Sequence, residues 1–316
     1  MTKIHNCLFC YQPVIETDAD FHNKCSRKIF GEKTVPDLPF HENKMEEWAE
    51  KVIRTQTTVT GVQPKLSLHL ASPEHPGDPK RFTIVGLWGG YILKPPTPNY
   101  PNLPEVEDLT MHLAESARIN VVPHSLIRLQ SGNLAYLTRR IDRVKNQKLH
   151  MEDFCQLTER LTEDKYHGSY EQIARTIQKF SSTPGLDVVN LFELVLFSFL
   201  TGNADMHLKN FSLINYPGKG NVLSPAYDLV ATKLVNPADT EELALTLNGK
   251  KRKINKNDFV AAFTSAKLDQ KQQENIFRKM EKAKTKWMEQ IEISFLPDDM
   301  KNDYSLLLDE RFDRLR

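Results

Sequence analysis

The chain is 316 residues long, 40% hydrophobic and 26% charged, the make-up of an ordinary globular protein with room for two lobes. Its 42 basic and 41 acidic side chains leave a net charge of +1, so no global field argues for nucleic-acid or membrane binding and function must reside in local sites. No apolar stretch follows a basic start, and the longest apolar run, Val188 to Leu200, is interrupted by Asn190, Glu193 and Ser198. Four cysteines in a chain of this size suit a reducing compartment, so a cytoplasmic protein without a membrane span is expected.

The first predicted unit, residues 1–31, holds Cys7-x-x-Cys10 and His22-x-x-Cys25. Each paired turn aims two ligands at one point, which is compatible with a tetrahedral zinc site of Cys7, Cys10, His22 and Cys25; the alternative is a reduced knuckle whose cysteines pack as small hydrophobes. A helix follows over Asn43–Gln56, with Trp48, Val52 and Ile53 on one side. The polar stretch Thr57 to Lys65 then leads into the alternating Leu66, Leu68 and Leu70 of a strand, and Gly61 would let the backbone approach a phosphate.

Two further strands are predicted at Phe82–Leu87 and Tyr91–Lys94, with Gly89-Gly90 read as the hairpin turn between them. A lysine ending such a strand can reach the phosphates of ATP and pair with a carboxylate on the next helix. That helix is expected over Glu105–Arg118, with Val106, Leu109, Leu113 and Ala117 facing the core; Glu107 is the first choice of partner for Lys94 and Glu115 the second. Strands at His124–Leu129 and Asn133–Arg139 complete a small lobe of residues 32–143.

The remainder, residues 144–316, reads as a helical large lobe with helices at Ser169–Ser181, Val188–Leu200, Asp258–Phe263, Leu268–Ile293 and Met300–Leu315. Pro184-Gly185 is taken to separate the first two. The basic run Lys250 to Lys253 reads as a solvated turn, with contact to RNA or an acidic partner as the alternative.

Within this lobe lie Asp205, Asn210 five residues on, and Asp228 after a strand-turn-strand. Phosphoryl transfer needs such a set: an Asp to accept the proton of the substrate hydroxyl, an Asn to hold magnesium, and a second Asp to hold the metal against the ATP phosphates. The expected roles are Asp205 as base and Asn210 and Asp228 as metal ligands, with His207 and Lys209 positioning or neutralising the γ-phosphate.

The segment Asn203, Asp205, His207, Lys209, Asn210, with Tyr227-Asp228 downstream, resembles the HipA-like family of serine/threonine kinases, the toxins of bacterial toxin–antitoxin pairs. Thr58, Gly61, Gln63 and Lys65 match that family's loop over the ATP phosphates, so the resemblance implies ATP contacts from Thr60, Gly61, Val62, Gln63, Pro64 and Lys65 and autophosphorylation of Thr58 or Thr60. Arg140-Ile141-Asp142-Arg143 is similar to the family's crossing between lobes, which makes Thr138, Arg139, Arg140 and Ile141 candidates to meet adenine, with Lys94, His207, Asn210, Tyr227 and Asp228 completing the ATP site. His150 to Gln156 matches the stretch that opens the family's large lobe, where Cys155 is expected to be a packed thiol.

The resemblance implies a bilobal α+β protein-kinase-like fold with a β-rich small lobe and an all-helical large lobe, using ATP and Mg2+. It also implies a protein substrate of the aminoacyl-tRNA synthetase class and a DNA-binding HipB-like antitoxin, with no DNA binding by the chain alone. Longer family members carry a further N-terminal β subdomain, so the chain is expected to match the short HipT-type toxins, in which a separate small antitoxin supplies it. Two other readings stay open: a catalytically silent co-repressor partner of the antitoxin, and a small-molecule kinase of aminoglycoside-phosphotransferase type.

Overall fold

A computed structural model of the chain describes residues 5–15, 19–41, 65–73, 75, 78–85, 88–144 and 147–316. The helix expected over 43–56 and the loop 57–64, and with them Thr58, Thr60, Gly61, Val62, Gln63 and Pro64, lie outside the described residues. The chain divides into two compact units, Met1–Asp108 with Val122–Ile141 and Ile293–Phe295, and Leu109–Val121 with Asp142–Glu292 and Leu296–Arg316. The helix Leu103–Ser116 contributes residues to both.

The first unit opens with a two-stranded hairpin, β1 (His5–Asn6) and β2 (Pro13–Val14), followed by helix α1 (Asn23–Phe30). Strands β3 (Leu66–Ala71), β4 (Arg81–Val85) and β5 (Tyr91–Lys94) precede helix α2 (Leu103–Ser116), and β6 (His124–Arg128) and β7 (Leu134–Arg139) follow it. Among the described residues these five strands form one antiparallel sheet in the order β4-β3-β5-β7-β6. Alternation decides which face is buried: Leu66, Leu68, Phe82, Leu93 and Leu137 enter a common core with Cys7, Leu8, Ile29 and Phe30. The Cys/His-rich stretch thus shares its core with the sheet.

The hairpin expected across Gly89-Gly90 does not form. Strands β4 and β5 each pair with β3, Leu68 lying opposite both Ile84 and Tyr91, so the connection crosses over β3 instead of turning back on itself. Gly89 makes the crossing: a Cβ there would stand 2.4 Å from Ser67 Oγ and 2.5 Å from the Leu68 carbonyl oxygen, and the Gly89 N–H donates to Ser67 Oγ at 3.1 Å. Only a residue without a side chain lets the two backbones come that close.

The second unit begins with the short pair β8 (Arg143–Val144) and β9 (Gln147–Lys148), then β10 (Met151–Asp153) and the one-turn helix α3 (Phe154–Leu157). Helices α4 (Tyr170–Phe180) and α5 (Pro184–Leu200) come next, then strands β11 (Ser212–Tyr216) and β12 (Gly220–Leu223). Helices α6 (Thr232–Val235), α7 (Lys256–Ser265), α8 (Gln270–Glu292) and α9 (Asp298–Asp313) finish the chain. Residues 109–116 of α2 pack here, where the Trp287 indole donates to the Leu113 carbonyl at 2.8 Å and meets Phe197 edge to face.

Two expectations are corrected in this unit. It is not all-helical, because β10, β11 and β12 form an antiparallel sheet of their own, with Met151 opposite Ile214 and Leu213 opposite Leu223. Three residues of β10 are too few to show alternation, which is why a sequence pattern passes over them. Pro184-Gly185 does not separate two helices but begins α5, where a proline at the first position forfeits no helical hydrogen bond. The buried Asp187 carboxylate in that first turn accepts from Ser181 Oγ at 2.5 Å and Leu223 N–H at 2.9 Å, tying the helix start to β12. None of the helices among the described residues is long and apolar enough to cross a membrane.

Candidate functional site

Helix α5 delivers the chain to Asp205. After Leu200 the backbone turns at Gly202, whose φ of 68° is left-handed and whose missing Cβ would lie 2.7 Å from a Leu307 methyl. The next residues close a small polar loop. Asn203 Oδ1 accepts from the Asp205 N–H at 3.1 Å, the His207 N–H donates to the Asp205 carbonyl at 2.8 Å, and Asn210 Nδ2 donates to the same carbonyl at 2.9 Å. Asp205 and Asn210 are thereby locked together through backbone and amide, and an oxygen of the Asn210 amide remains available as a ligand.

The Asp205 carboxylate is itself oriented, its Oδ1 accepting from the Tyr166 hydroxyl at 2.6 Å. The Tyr166 ring also stands edge to face on the imidazole of His207, with centroids 5.0 Å apart. Burial pushes the Tyr166 hydroxyl well up, and its bond to Asp205 adds to that, so it stays a donor at neutral pH. Burial lowers His207 below the ordinary imidazole value, against the opposing pull of the Asp205 and Asp228 carboxylates. Nδ1 of His207 and Nδ2 of Asn203 are buried without a hydrogen-bond partner among the described residues.

Lys209 pairs with Asp153, Nζ to Oδ2 at 2.7 Å, while the other oxygen of Asp153 caps α3 by accepting from the Gln156 N–H at 3.0 Å. Tyr227 is joined by its hydroxyl to Ser212 Oγ at 2.6 Å and to the Lys209 carbonyl at 3.1 Å. Those bonds moor the residue before Asp228 to the loop that carries Asp205 and Asn210. Asp228 takes a φ of 60°, a left-handed backbone that Asp tolerates better than most residues.

In the first unit, Lys94 ends β5 and its Nζ lies 2.5 Å from Glu107 Oε1, with both side chains buried. The ammonium also sits over the Tyr136 ring, 5.4 Å from its centroid, and Tyr136 is opposite Lys94 in the β5–β7 register. Glu115 is exposed further along the helix. Asp108, next to Glu107, accepts from His124 Nδ1 at 2.8 Å and from the Tyr11 hydroxyl at 2.7 Å. Thr138 and Arg139 end β7, Arg140 donates its N–H to the Gly90 carbonyl, and the chain passes from one unit to the other between Ile141 and Asp142. Lys65 is exposed just ahead of β3.

Ligand atoms of Cys7, Cys10, His22 and Cys25 all lie within 4.8 Å of one another. Cys10 Sγ is 3.4 Å from His22 Nδ1, and the other imidazole nitrogen meets the Pro13 carbonyl at 3.0 Å. His22 stands at the N-cap position of α1 and Cys25 in its first turn, which brings this pair to the β1–β2 turn carrying Cys7 and Cys10. Cys155 is buried, and burial pushes its thiol up, as for a packed rather than a reactive cysteine. Lys250 and Lys251 of the basic run pair with Asp258 and Glu241.

Residues 57–287 match the family model of the HipA-like C-terminal domain, which covers more than half of the chain and contains the whole Asp205 to Asp228 segment. The chain belongs to the HipA-like family. Among HipA-like relatives, Y4dM of Sinorhizobium fredii, named as a kinase, is 31% identical over 227 residues, which cover 68% of this chain and 54% of that one. The serine/threonine-protein kinase toxin HipA of Shewanella oneidensis is 27% identical over 227 residues, covering 65% of this chain and 49% of that one. The chain therefore spans about half the length of these curated relatives.

Solved structures extend the likeness. The Shewanella oneidensis MR-1 toxin–antitoxin complex of HipA, HipB and operator DNA matches with a TM-score of 0.68 and 23% identity, over 84% of this chain and 70% of that one. The Helicobacter pylori proinflammatory kinase CtkA matches with a TM-score of 0.56 and 15% identity, over 79% of this chain and 93% of that one. At such identities the likeness is one of fold, and the HipA-like chain has the protein-kinase-like fold.

The sequence pattern does not point to Tyr166 or to the set of Tyr11, Asp108 and His124, and it places Asp153 in the stretch opening the large lobe without its pairing to Lys209. Tyr166 stands 39 residues from Asp205 and Tyr11 stands 97 from Asp108, so no local pattern links either pair.

Proposed function

We propose that the chain is an ATP- and magnesium-dependent serine/threonine protein kinase acting as the toxin of a toxin–antitoxin pair. The observation that carries this reading is the closed loop in which Asn203 and Asn210 hold the backbone of Asp205 while Tyr166 orients its carboxylate. Asp205 takes the proton of the attacking hydroxyl as the oxygen bonds to the γ-phosphorus, and ADP leaves. Lys94, fixed by Glu107 and Tyr136, meets the ATP phosphates.

The amide oxygen of Asn210 and the carboxylate of Asp228 are hard oxygen donors and fit Mg2+ better than a soft metal. Bound there, the ion neutralises phosphate charge. His207, low in pKa and buried, serves as a neutral neighbour of the phosphates, and Lys209 acts through its pairing with Asp153 to hold the loop. The adenine contacts assigned to Thr138, Arg139, Arg140 and Ile141, the phosphate contacts of residues 60–65 and autophosphorylation at Thr58 or Thr60 belong to the same proposal.

The HipB of the Shewanella complex supports a DNA-binding antitoxin as partner. A small second antitoxin and a substrate of the aminoacyl-tRNA synthetase class follow from the family reading. Zinc at Cys7, Cys10, His22 and Cys25 completes it as a structural ion, because three thiols and an imidazole suit Zn2+ and not Mg2+.

Incubating the full-length chain with labelled ATP and Mg2+, alongside Asp205→Asn, tests the reading. Transfer to protein hydroxyls by the wild type alone supports it. Equal incorporation by both chains, or none by either, overturns it, the second result in favour of the silent co-repressor.

A further inference from the structure

The cluster of Cys7, Cys10, His22 and Cys25 is not isolated from the chemistry of the first unit. Tyr11 follows Cys10 directly, and its N–H donates to the Cys7 carbonyl at 2.9 Å inside the knuckle that carries both thiols. Its φ is 61°, a left-handed backbone that is rare for a bulky residue and persists only where the surroundings impose it. The side chain is almost wholly buried and ends on the Asp108 carboxylate at 2.7 Å. Glu107, which holds Lys94, is the preceding residue of the same helix.

A second route runs beside the first. Asp108 also receives His124 Nδ1, and the His124 ring stacks at 6.1 Å on Tyr136, the ring beneath the Lys94 ammonium. The knuckle reaches β6 as well, since the Leu8 carbonyl accepts from Ser125 Oγ at 3.1 Å and the Leu126 N–H at 3.3 Å. Tyr11, Asp108, His124, Tyr136, Lys94 and Glu107 are all buried, so each bond acts where solvent does not screen it.

Resting on the assignment of zinc to the cluster, we propose that Tyr11 is a positioning residue through which the metal-bound knuckle holds the Lys94–Glu107 pair ready for ATP. Zinc fixes the turn between Cys7 and Cys10, the turn fixes Tyr11, and Tyr11 holds Asp108 and hence the helix bearing Glu107. Metal content in the N-terminal stretch and nucleotide affinity are then linked quantities.

The test uses full-length protein purified without nickel affinity. Metal analysis should give about one zinc per chain; a value near zero in folded protein overturns the assignment of zinc and the proposal with it. Tyr11→Phe keeps the ring and all four ligands and removes only the hydroxyl. It should retain zinc yet bind MgATP about tenfold more weakly, the loss of one buried bond to a carboxylate.

The deciding measurement is the double-mutant cycle with Lys94→Ala. If Tyr11 acts through Lys94, Tyr11→Phe adds no further loss in the Lys94→Ala background; a full second loss would mean a general structural role and overturns the proposal. Hydrogen exchange supplies a readout independent of nucleotide: zinc removal and Tyr11→Phe should each speed exchange in peptides covering 103–110 and leave those of 270–292 unchanged. Absence of MgATP binding by the wild type would count against the kinase reading, and unchanged exchange at 103–110 would overturn the coupling itself.

Discussion

The Tyr166 hydroxyl donates to Oδ1 of Asp205 at 2.6 Å, so the carboxylate assigned to proton abstraction reaches its substrate with one oxygen already committed. A fixed carboxylate presents its second oxygen in one direction, which is the entropic part of general-base catalysis. Tyr166→Phe should lower kcat by about tenfold, the worth of one hydrogen bond to a charged group. The KM for ATP should hardly move, since the nucleotide gains nothing from that hydroxyl. Steady-state kinetics with a saturating protein acceptor checks both halves.

Asp205→Asn and Asp228→Asn should each abolish transfer by separate routes. The first removes the base and leaves nucleotide binding nearly intact, whereas the second removes a metal ligand and should weaken the affinity for ATP seen with Mg2+. Isothermal titration with and without Mg2+ separates them, and equal weakening in both variants would contradict the assigned roles.

Acid should destabilise the second unit through His207. Burial depresses its pKa in the folded state below the unfolded value of 6.5. The unfolded chain then binds the proton more readily, so the stability this residue contributes is intact above about pH 6.5 and falls as the pH drops towards the folded value. Melting curves between neutral pH and about pH 5 should show the loss, and His207→Gln should flatten it.

Gly89 and Gly90 are neighbours with opposite tolerances. A methyl group at Gly89 would meet the Leu68 backbone oxygen at 2.5 Å and nitrogen at 2.7 Å, while one at Gly90 has nothing within 4 Å. Gly89→Ala should therefore cost about 2–4 kcal/mol, because backbone and not a flexible side-chain tip must move. Gly90→Ala should be close to neutral. Urea denaturation of the two variants gives the comparison directly.

The ease with which each part could be read in advance follows sequence distance. Asp205, His207, Lys209 and Asn210 lie within six consecutive positions, so their order alone is informative. Strand β5 was expected with the bounds it has, because Tyr91 to Lys94 is fenced by Gly90 and Pro95. The pairing of β4 and β5 with β3 was not legible, since a Gly-Gly step reads locally as a turn and only the distant Ser67 and Leu68 reveal it as a crossing. In the second unit the strand-turn-strand expected ahead of Asp228 is β11 and β12, whereas β10 escaped for a related reason: it joins β11 across some sixty residues and is itself three residues long.

The left-handed backbone at Asp228 sets two kinds of selection against each other. Glycine would adopt that φ without strain, so Asp228→Gly should leave folding stability intact or slightly raised, at the expense of a carboxylate assigned to hold the metal. A library of variants sorted by heat resistance alone would keep such chains, and the same library sorted by the phosphoryl transfer proposed above would discard them. Mutational drift at this codon thus leads towards sturdier chains that have lost the carboxylate, so a gain in heat resistance at this position would itself report that Asp228 is held there for something other than the fold.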